Sequence, residues 1–516
     1  MNRSSALAKP GAPLAATMKR QGVWLLGVLA LTLLSACGGS DAGTDPRLGY
    51  APPDPADYRS QTDWVAAFDA AHQKLSTEYA LTAWKGIDWS SLYQRHINAI
   101  RLAATTRSAQ SYFVALHQYL FDIDDGHVST PTTASNATLI NSVIQQQSGG
   151  SYGLGLAELD DASVVAASVA PDGPAARAGI QAGAHILQWN GRDPGVAIGA
   201  IHLGSLAAAT HMATHEHQRL EQVRLLNRAP LNTGVEILYR NPGSATEQSV
   251  HLDTVDDALQ NLSLFDFAAA PNMADEAAIV QSRTRDGYGY IRLTALAHLD
   301  NIAQSPEDIW NRFQAAVSDF KNAGVPAIVL DLRGNHGGYD QLAAAICGIF
   351  TAVPTVYEVI EMFDSRSGQF INLSTNFETG ELANASMITP QAPQYAGPVV
   401  ALVNPRTISS GEGLARCIND KPNGAVLGFH GTRGSFAAAG GEILMPGGIA
   451  LHYPYGRAVD AQGVVQIDSR NGVGGVLPKL RIPKSFTNVM AYARGEDPEY
   501  RAAISYLDQL LKGRTP

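Results

Sequence analysis

The sequence contains few cysteines and few charged residues. Only three of its 516 residues are cysteines, which is too few for a fold held together by disulfides. Charged residues make up 16% of the chain, below the roughly 25% of an average soluble protein. The net charge is −10, which argues against nucleic acid as a partner. Because 45% of the residues are hydrophobic, the composition is that of a protein with packed cores, either a multidomain enzyme or a binding protein. At roughly 150 residues per domain, the length suggests about three domains.

The sequence also lacks a long apolar run near its start. Val23–Leu34 is a run of 12 uncharged residues, and as a helix it would span about 18 Å, short of the roughly 30 Å hydrocarbon core of a membrane. Lys19 and Arg20 precede it and small residues follow, which is the layout of a secretory signal. The segment ends in Leu-Ser-Ala-Cys and resembles a bacterial lipobox, which implies cleavage before Cys37 and lipidation of its thiol.

Residues 1–37 are therefore predicted to be a lipoprotein signal peptide with its lipobox, and residues 38–60 a flexible tether. The alternative is an ordinary signal peptide that happens to end near a cysteine. A lipid on Cys37 would hold the protein on a membrane of the bacterial cell envelope, facing the periplasm. In that oxidising compartment Cys347 and Cys417 could pair, although two buried free thiols are the alternative.

The mature chain divides by pattern into an N-terminal helical part and a β-rich part. Apolar residues at three- and four-residue steps predict a helical domain over 61–132, whose helical part ends in a polar turn at Phe121–Val128. The composition of 133–150 predicts a linker. From Tyr152 onward, short strands alternate with Gly turns.

The stretch Gly173–Gly191 resembles a bacterial PDZ domain, with a short helix, Ala-Gly-Ile, a Gly turn, a strand and Asn-Gly. The strands Gly234–Tyr239 and Gln248–Leu252 would complete a PDZ domain over 150–255, and Ile201–Leu226 is predicted to be an inserted helix. The resemblance implies that an extended peptide adds to a sheet edge and that backbone N–H groups capture its C-terminal carboxylate. The predicted capture loop consists of Gly153, Leu154, Gly155 and Leu156.

From Gly287 the chain alternates buried strands with helical patterns, which predicts an α/β fold. The expected strands are 289–293, 327–332 and 398–403, and the expected helices are 306–322, 340–350 and 411–419.

Two Gly-rich turns follow buried strands in this region. One reads Asp-Leu-Arg-Gly-Asn-His-Gly-Gly over Asp331–Gly338, and the other runs from Asn404 to Gly413 and contains Ser-Ser-Gly-Glu. Together with Gly475–Pro483 they resemble the S41 serine peptidases, the tail-specific or C-terminal processing proteases. The resemblance implies an α/β fold with a ClpP/crotonase-like catalytic domain over 280–512, an inserted PDZ domain and an N-terminal helical domain.

By this resemblance Ser409 is the nucleophile, and the N–H groups of Ser410 and of Gly337 or Gly338 form the oxyanion hole. Such turns aim backbone N–H groups into a cleft, and a Ser at a helix start gains from the helix dipole. A structural helix cap is the alternative role for Ser409.

The general base differs from that of the processing proteases. They use a Lys, and residues 427–435, the matching stretch of this sequence, contain none. Arg433 cannot replace it, because a guanidinium stays protonated. The sequence is more similar to the tricorn core peptidases, which implies His127 as base and Asp468 as the acid that orients it. His336 and His430 are competing bases, and Asp460 is a competing acid.

His211 and His215 share a predicted helix face, but without H-E-x-x-H or a third ligand we expect a solvated face and no metal. No cofactor is expected. The resemblance implies a serine endopeptidase that acts on envelope polypeptides or peptides, recognised through their C-termini. The alternative from a different class is a catalytically inactive PDZ and peptidase-fold lipoprotein that binds peptides as a scaffold.

Overall fold

The computed structural model describes residues 49–513 except 261, 263, 268–277 and 302. The predicted signal peptide, Cys37 and most of the predicted tether lie outside the described residues. In the described part of the chain, no helix is both long and apolar enough to cross a membrane.

The described residues form 13 α-helices and 21 strands. The helices are α1 Trp64–Glu78, α2 Thr82–Lys85, α3 Trp89–Thr106, α4 Ala109–Phe121, α5 Ala137–Ser148, α6 Pro174–Arg177, α7 Pro194–Gly199, α8 His215–Leu226, α9 Glu307–Asn322, α10 Asp340–Phe350, α11 Ser410–Asp420, α12 Phe486–Ala493 and α13 Pro498–Leu511. The strands are β1 Ala56–Asp57, β2 Gly150–Ser151, β3 Leu154–Glu158, β4 Val164–Val169, β5 His185–Trp189, β6 Arg228–Ala229, β7 Gly234–Arg240, β8 Gln248–Asp253, β9 Val255–Asp256, β10 Val280–Arg285, β11 Tyr288–Leu293, β12 Ile328–Asp331, β13 Thr355–Asp364, β14 Gln369–Asn372, β15 Ser386–Ile388, β16 Val399–Leu402, β17 Gly424–Gly428, β18 Ala439–Met445, β19 Ile449–Pro454, β20 Gly456–Val459 and β21 Leu480–Arg481.

A six-stranded sheet lies at the centre of the C-terminal half, in the order β10-β11-β12-β16-β17-β21. β10 is antiparallel to β11, and the other neighbours are parallel. Both faces are covered: Ile328 and Leu330 of β12 pack in the core that contains α9, α10 and α11, whereas Val329 packs with α12 and α13. Burial on both faces explains the continuous apolar runs of these strands. The predicted α/β fold and the strands and helices expected here are confirmed to within two residues.

Because β12 and β16 are parallel neighbours, the turns that follow them lie side by side at the carboxyl edge of the sheet. The first turn, Asp331–Gly338, is held in place by its own Arg333, which is fully buried. Its guanidinium donates to Asp331, Asp497 and Glu499 at 2.6 to 2.9 Å. Arg333 therefore ties the end of β12 to the start of α13.

The region 150–255 contains a five-stranded antiparallel sheet in the order β3-β4-β5-β7-β8. Val223 and Leu226 of α8 share a core with Leu154 and Leu156 of β3. This unit is therefore β-rich, with α8 packed against its sheet, and its assignment as a PDZ domain stays a prediction.

Two sequence-based expectations, for residues 133–150 and 201–226, are wrong. Residues 133–150 are not only a linker, because they contain α5, whose Ile140 and Val143 are buried. Their three-residue spacing forms a helix face that the polar composition conceals. The helix within 201–226 begins only at His215 and belongs to the sheet's own core, and His211 and His217 are buried rather than solvated.

The N-terminal helices pack against the β18–β19 hairpin. Phe68, Leu116 and Leu120 share one core with Ile443 and Leu451 of that hairpin. The polar turn that follows α4 and carries His127 is thereby brought to the C-terminal half, where Ser129 and His452 exchange backbone hydrogen bonds at 3.2 and 2.9 Å.

Candidate active site

The two Gly-rich turns touch at Gly337 and Ser409. A Cβ built on Gly337 would lie 2.7 Å from Ser409 Cβ and 2.9 Å from the Ile408 carbonyl oxygen, so only glycine fits there without a shift. The Ile408 N–H also donates to the Asn335 carbonyl oxygen at 3.0 Å. The structure thus places the nucleophile candidate directly against the candidate oxyanion turn.

Ser409 has an unusual backbone conformation at the start of α11, with φ 58° and ψ −133°. This region is strained for a residue with a side chain and persists only where the surroundings enforce it. The Ser409 N–H donates to Ser435 O at 3.0 Å and to Glu412 Oε2 at 3.1 Å, and these bonds enforce it. The residue is half-buried. A strained strand-to-helix turn of this kind is typical of nucleophile turns.

The three candidate oxyanion donors differ in availability. The Gly337 N–H donates to Asn335 Oδ1 at 2.9 Å. The N–H groups of Ser410 and Gly338 donate to no acceptor among the described residues, and Gly338 is exposed. Ser410 and Gly338 therefore provide the available pair of donors at this turn.

The buried Glu412 connects the start of α11 to the turn at 432–435 by hydrogen bonds. Its carboxylate accepts from Thr432 Oγ1 at 2.5 Å, from the Gly434 N–H at 2.7 Å and from the Ser435 N–H at 3.0 Å, in addition to Ser409. Burial raises the pKa of Glu412 to about 7, and these four donors oppose the rise. The carboxylate is saturated with donors, so it serves to hold the nucleophile turn.

His127 reaches this arrangement through Ser435. The N–H of the preceding Gly126 donates to Ser435 Oγ at 2.8 Å, and Ser435 O accepts from Ser409. The His127 N–H donates to Asp125 Oδ1 at 2.8 Å. Its Nδ1 is buried without a partner among the described residues. Burial lowers the pKa of His127, with Arg433 and Lys85 acting in the same direction and Asp125 against it.

Asp468 is buried beside the same turn. Its Oδ1 accepts from the Phe436 N–H at 3.1 Å, and Oδ2 has no partner among the described residues. Burial raises the pKa of Asp468 well above its usual range, and the nearby Asp125 adds to the rise. The competing Asp460 instead accepts from two N–H groups of its own turn, at Gln462 and Val464.

The two competing histidines lie in different surroundings. His430 is enclosed: both ring nitrogens are buried without a partner among the described residues, and burial lowers its pKa far below the usual range. His336 is exposed at the oxyanion turn. Burial of its ring lowers the pKa of His336, as do Arg406 and Arg433. The roles of Ser409, His127 and Asp468 stay predictions.

The sequence of residues 287–480 matches peptidase family S41. That range contains both Gly-rich turns, Ser409 and Asp468, whereas His127 lies outside it. These residues are identified as a peptidase S41 domain. A protein with this domain is a serine peptidase that hydrolyses peptide bonds, as the motifs predict.

The fold is similar to that of a solved structure, mature CPAF. Mature CPAF in complex with lactacystin superposes with a TM-score of 0.57 at 14% identity, covering 87% of this chain and 97% of the CPAF chain. A photosystem II D1 C-terminal processing protease gives a TM-score of 0.36 at 18% identity, over 84% of this chain and 97% of the other. The tricorn protease gives 0.38 at 15% identity, over 87% of this chain and 37% of its own. A search of curated protein sequences finds no match.

The predicted capture loop of this S41 peptidase is occupied by its own side chains. The Gly153 N–H donates to Ser151 Oγ at 3.0 Å, and the Leu154 N–H donates to Asn227 Oδ1 at 2.8 Å. Gly155 and Leu156 are buried. Arg219 of α8 binds Glu158 of β3, with Nε to Oε2 at 2.8 Å, so this helix and strand are held together.

Several residues that shape the site carry no sequence signal. Asn335 selects which glycine N–H stays available, and Ser435 links the base turn to the nucleophile turn. Arg433 is excluded as a base, yet its Nη2 donates to His211 O at 2.7 Å and its side chain packs against Gly126. The contacts of Ser435 and Arg433 do not follow from spacing, because each joins separate segments of the chain, whereas the Asn335 bond is local and depends on the orientation of its side chain.

The contact between Gly337 and Ser409 predicts a position-specific loss of stability. Gly337 and Gly334 have nearly equal φ angles of 72° and 74°, but a Cβ on Gly334 would meet nothing within 4 Å. Gly337→Ala should lower the free energy of unfolding by roughly 1–3 kcal/mol more than Gly334→Ala, because it also overpacks the site. Urea denaturation measures the difference, and equal losses in the two variants would contradict the contact.

Proposed function

We propose that this S41 peptidase cleaves polypeptides with Ser409 as nucleophile, His127 as general base and Asp468 as the acid that orients the imidazole. The observation that carries the proposal is the strained Ser409 beside the N–H groups of Ser410 and Gly338, which have no acceptor in the described part of the chain. Nucleophilic catalysis needs a held hydroxyl, and oxyanion stabilisation needs preorganised donors beside it.

In the proposed reaction, His127 Nε2 takes the proton of Ser409 Oγ as that oxygen attacks the substrate carbonyl. The carbonyl oxygen gains negative charge and accepts hydrogen bonds from the Ser410 and Gly338 N–H groups. The start of α11 adds the positive end of its dipole. The imidazolium then protonates the leaving amine. In the second half of the reaction, His127 takes a proton from the water that attacks the acyl-enzyme and returns it to Ser409 Oγ as the ester bond breaks.

The lowered pKa suits His127 to this role, because a base must be neutral to accept a proton. With burial lowering its pKa from 6.5, the imidazole is neutral at envelope pH. Asp468 enters the proposal through Oδ2, which is buried without a partner among the described residues. Its Oδ1 accepts from the Phe436 N–H, and the adjacent Ser435 binds the base turn at Gly126. Closure on substrate would bring Asp468 Oδ2 to His127 Nδ1, which likewise has no partner in the described part of the chain.

Labelling with a fluorophosphonate probe tests the nucleophile. Ser409→Ala should abolish labelling of the purified full chain, because the probe forms its bond with an activated serine oxygen. The matched control is Ser305→Ala, which removes an exposed hydroxyl. Equal labelling of wild type and Ser409→Ala would reject the nucleophile, and absence of labelling in both would favour a binding scaffold.

We further propose that residues 150–255 act as a PDZ domain that captures substrate C-termini. The N–H groups of Gly153 and Leu154 already bind side-chain oxygens of Ser151 and Asn227, which stand where carboxylate oxygens would bind. A ligand would then have to displace these side chains.

A competition experiment follows from this. In the Ser409→Ala background, Asn227→Ala should tighten binding of a fluorescein-labelled peptide ending in Leu-Ala-Ala-carboxylate, because the Leu154 N–H becomes free. The same peptide with an amidated C-terminus is the control. Equal affinities for both peptides, measured by fluorescence anisotropy, would contradict carboxylate capture.

We also propose that Cys37 is lipidated and that the enzyme faces the periplasm from a membrane of the bacterial envelope. The support is the sequence alone: a charged start, a 12-residue apolar run and Leu-Ser-Ala-Cys at its end. An inhibitor of the lipoprotein signal peptidase should cause an uncleaved precursor to accumulate. Unchanged processing, or export with an unmodified Cys37, would contradict the anchor.

A further inference from the structure

The short helix α2 is distant in sequence from the Gly-rich motifs, but it contacts both the turn that carries the proposed base and the turn that carries the proposed acid. Lys85, the last residue of α2, donates from Nζ to Asp124 O at 2.9 Å. The same ammonium donates to Ser469 O at 3.1 Å and to Ser469 Oγ at 2.8 Å. Asp124 lies three residues before His127, and Ser469 directly follows Asp468. One cation therefore bridges the base turn and the acid turn.

The neighbouring Trp84 adds a second contact to the acid turn. Its Nε1–H donates to the carbonyl oxygen of Asp468 itself at 3.0 Å. The Arg470 guanidinium stacks over the Trp84 ring, 4.9 Å from its centre. Ser469 Oγ closes the bridge with a bond to Asp124 O at 3.3 Å. The backbone of the acid turn is therefore held at two adjacent residues by α2.

We propose that Lys85 is a positioning residue of the catalytic site, which fixes the spacing between the His127 turn and the Asp468 turn and supplies positive charge beside both. This inference rests on the proposed function, because it assigns Lys85 to the base and acid named there. Lys85 does not touch the nucleophile turn in the described residues, so it acts through the two turns.

The electrostatic surroundings give the proposal a signature in pH. The charged groups that influence His127 are Asp125, Arg433 and Lys85. Those that influence Asp468 are Asp125, Glu412 and, with the opposite sign, Lys85. Removal of the Lys85 charge would raise the pKa of both groups. Since catalysis needs a neutral imidazole and an ionised carboxylate, each rise moves the acid limb of activity to higher pH.

The space around Lys85 permits a conservative replacement. A cavity of about 420 Å³ borders it, lined among others by Asp122, Asp124, His215 and Gly472. An arginine can extend into this space and keep both the charge and donors for Asp124 O and Ser469. Lys85→Met keeps the apolar stem and removes the charge and the donors.

The test is the second-order rate of fluorophosphonate labelling as a function of pH, measured on the purified full chain. The wild-type acid limb, which His127 and Asp468 set together, is the reference for the variants. Lys85→Met should lower the plateau rate on the order of ten- to hundredfold and move the acid limb upward. Lys85→Arg should return the acid limb to its wild-type pH. Trp84→Phe should lower the plateau rate without moving the acid limb.

Lys321→Met is the matched control, because Lys321 is exposed on α9, and it should leave rate and limb unchanged. An unmoved limb in Lys85→Met would overturn the inference, including the case in which a lower thermal midpoint accompanies a lower rate. If Ser409→Ala labels like wild type, the proposed function fails instead, and the two failures are distinguishable.

Discussion

The buried contacts of Arg333 are the constraint on which the site depends. Its guanidinium binds three carboxylates from two distant segments, Asp331 on β12 and the pair Asp497 and Glu499 at the start of α13. Glu499 also accepts from the Phe429 N–H that follows β17. A buried cation that lost these partners, or carboxylates that lost the cation, would be strongly destabilising. The oxyanion turn, which contains Arg333, is therefore held at its base and presents Gly338 at its tip.

A second constraint acts on the nucleophile side. The strained backbone of Ser409 is maintained by bonds to Glu412 and Ser435, while Gly337 leaves room for its Cβ. Strain stored at one residue requires neighbours that over-determine its conformation. Glu412 does this with four hydrogen bonds, and the same carboxylate orders the turn at Thr432–Ser435 that meets the base turn. The proposed nucleophile and the proposed base are thus linked through one buried acid.

The proposed catalytic groups come from three parts of the chain. Ser409 follows β16 in the central sheet, His127 follows the N-terminal helices, and Asp468 lies beyond β20. Such an arrangement depends on tertiary packing between the helical region and the hairpin β18–β19. Among the described residues, His127 Nδ1 and Asp468 Oδ2 have no hydrogen-bond partner. Small movements between the helical region and the hairpin on substrate binding would decide whether these atoms meet.

The sequence predicts the parts of this protein that depend on local pattern. The strands β11, β12 and β16 and the helices α9, α10 and α11 follow from apolar runs and periodicity, and the two Gly-rich turns follow from motif. The choice between Gly337 and Gly338 as donor does not, because it depends on the side chain of Asn335. The burial of His211 and the bridge made by Lys85 are equally hidden, since both arise where separate segments pack. Helix α5 was obscured by its polar composition, although Ile140 and Val143 carry its apolar face.

The most direct test of the proposed mechanism is a crystal structure of the fluorophosphonate adduct on Ser409. A phosphoryl oxygen should lie within about 3 Å of the Ser410 and Gly338 nitrogens, at hydrogen-bond distance. The His127 ring should be the imidazole nearest to Ser409 Oγ, with Asp468 at its Nδ1. A phosphoryl oxygen bound elsewhere, or His336 in the place of His127, would contradict the proposed mechanism.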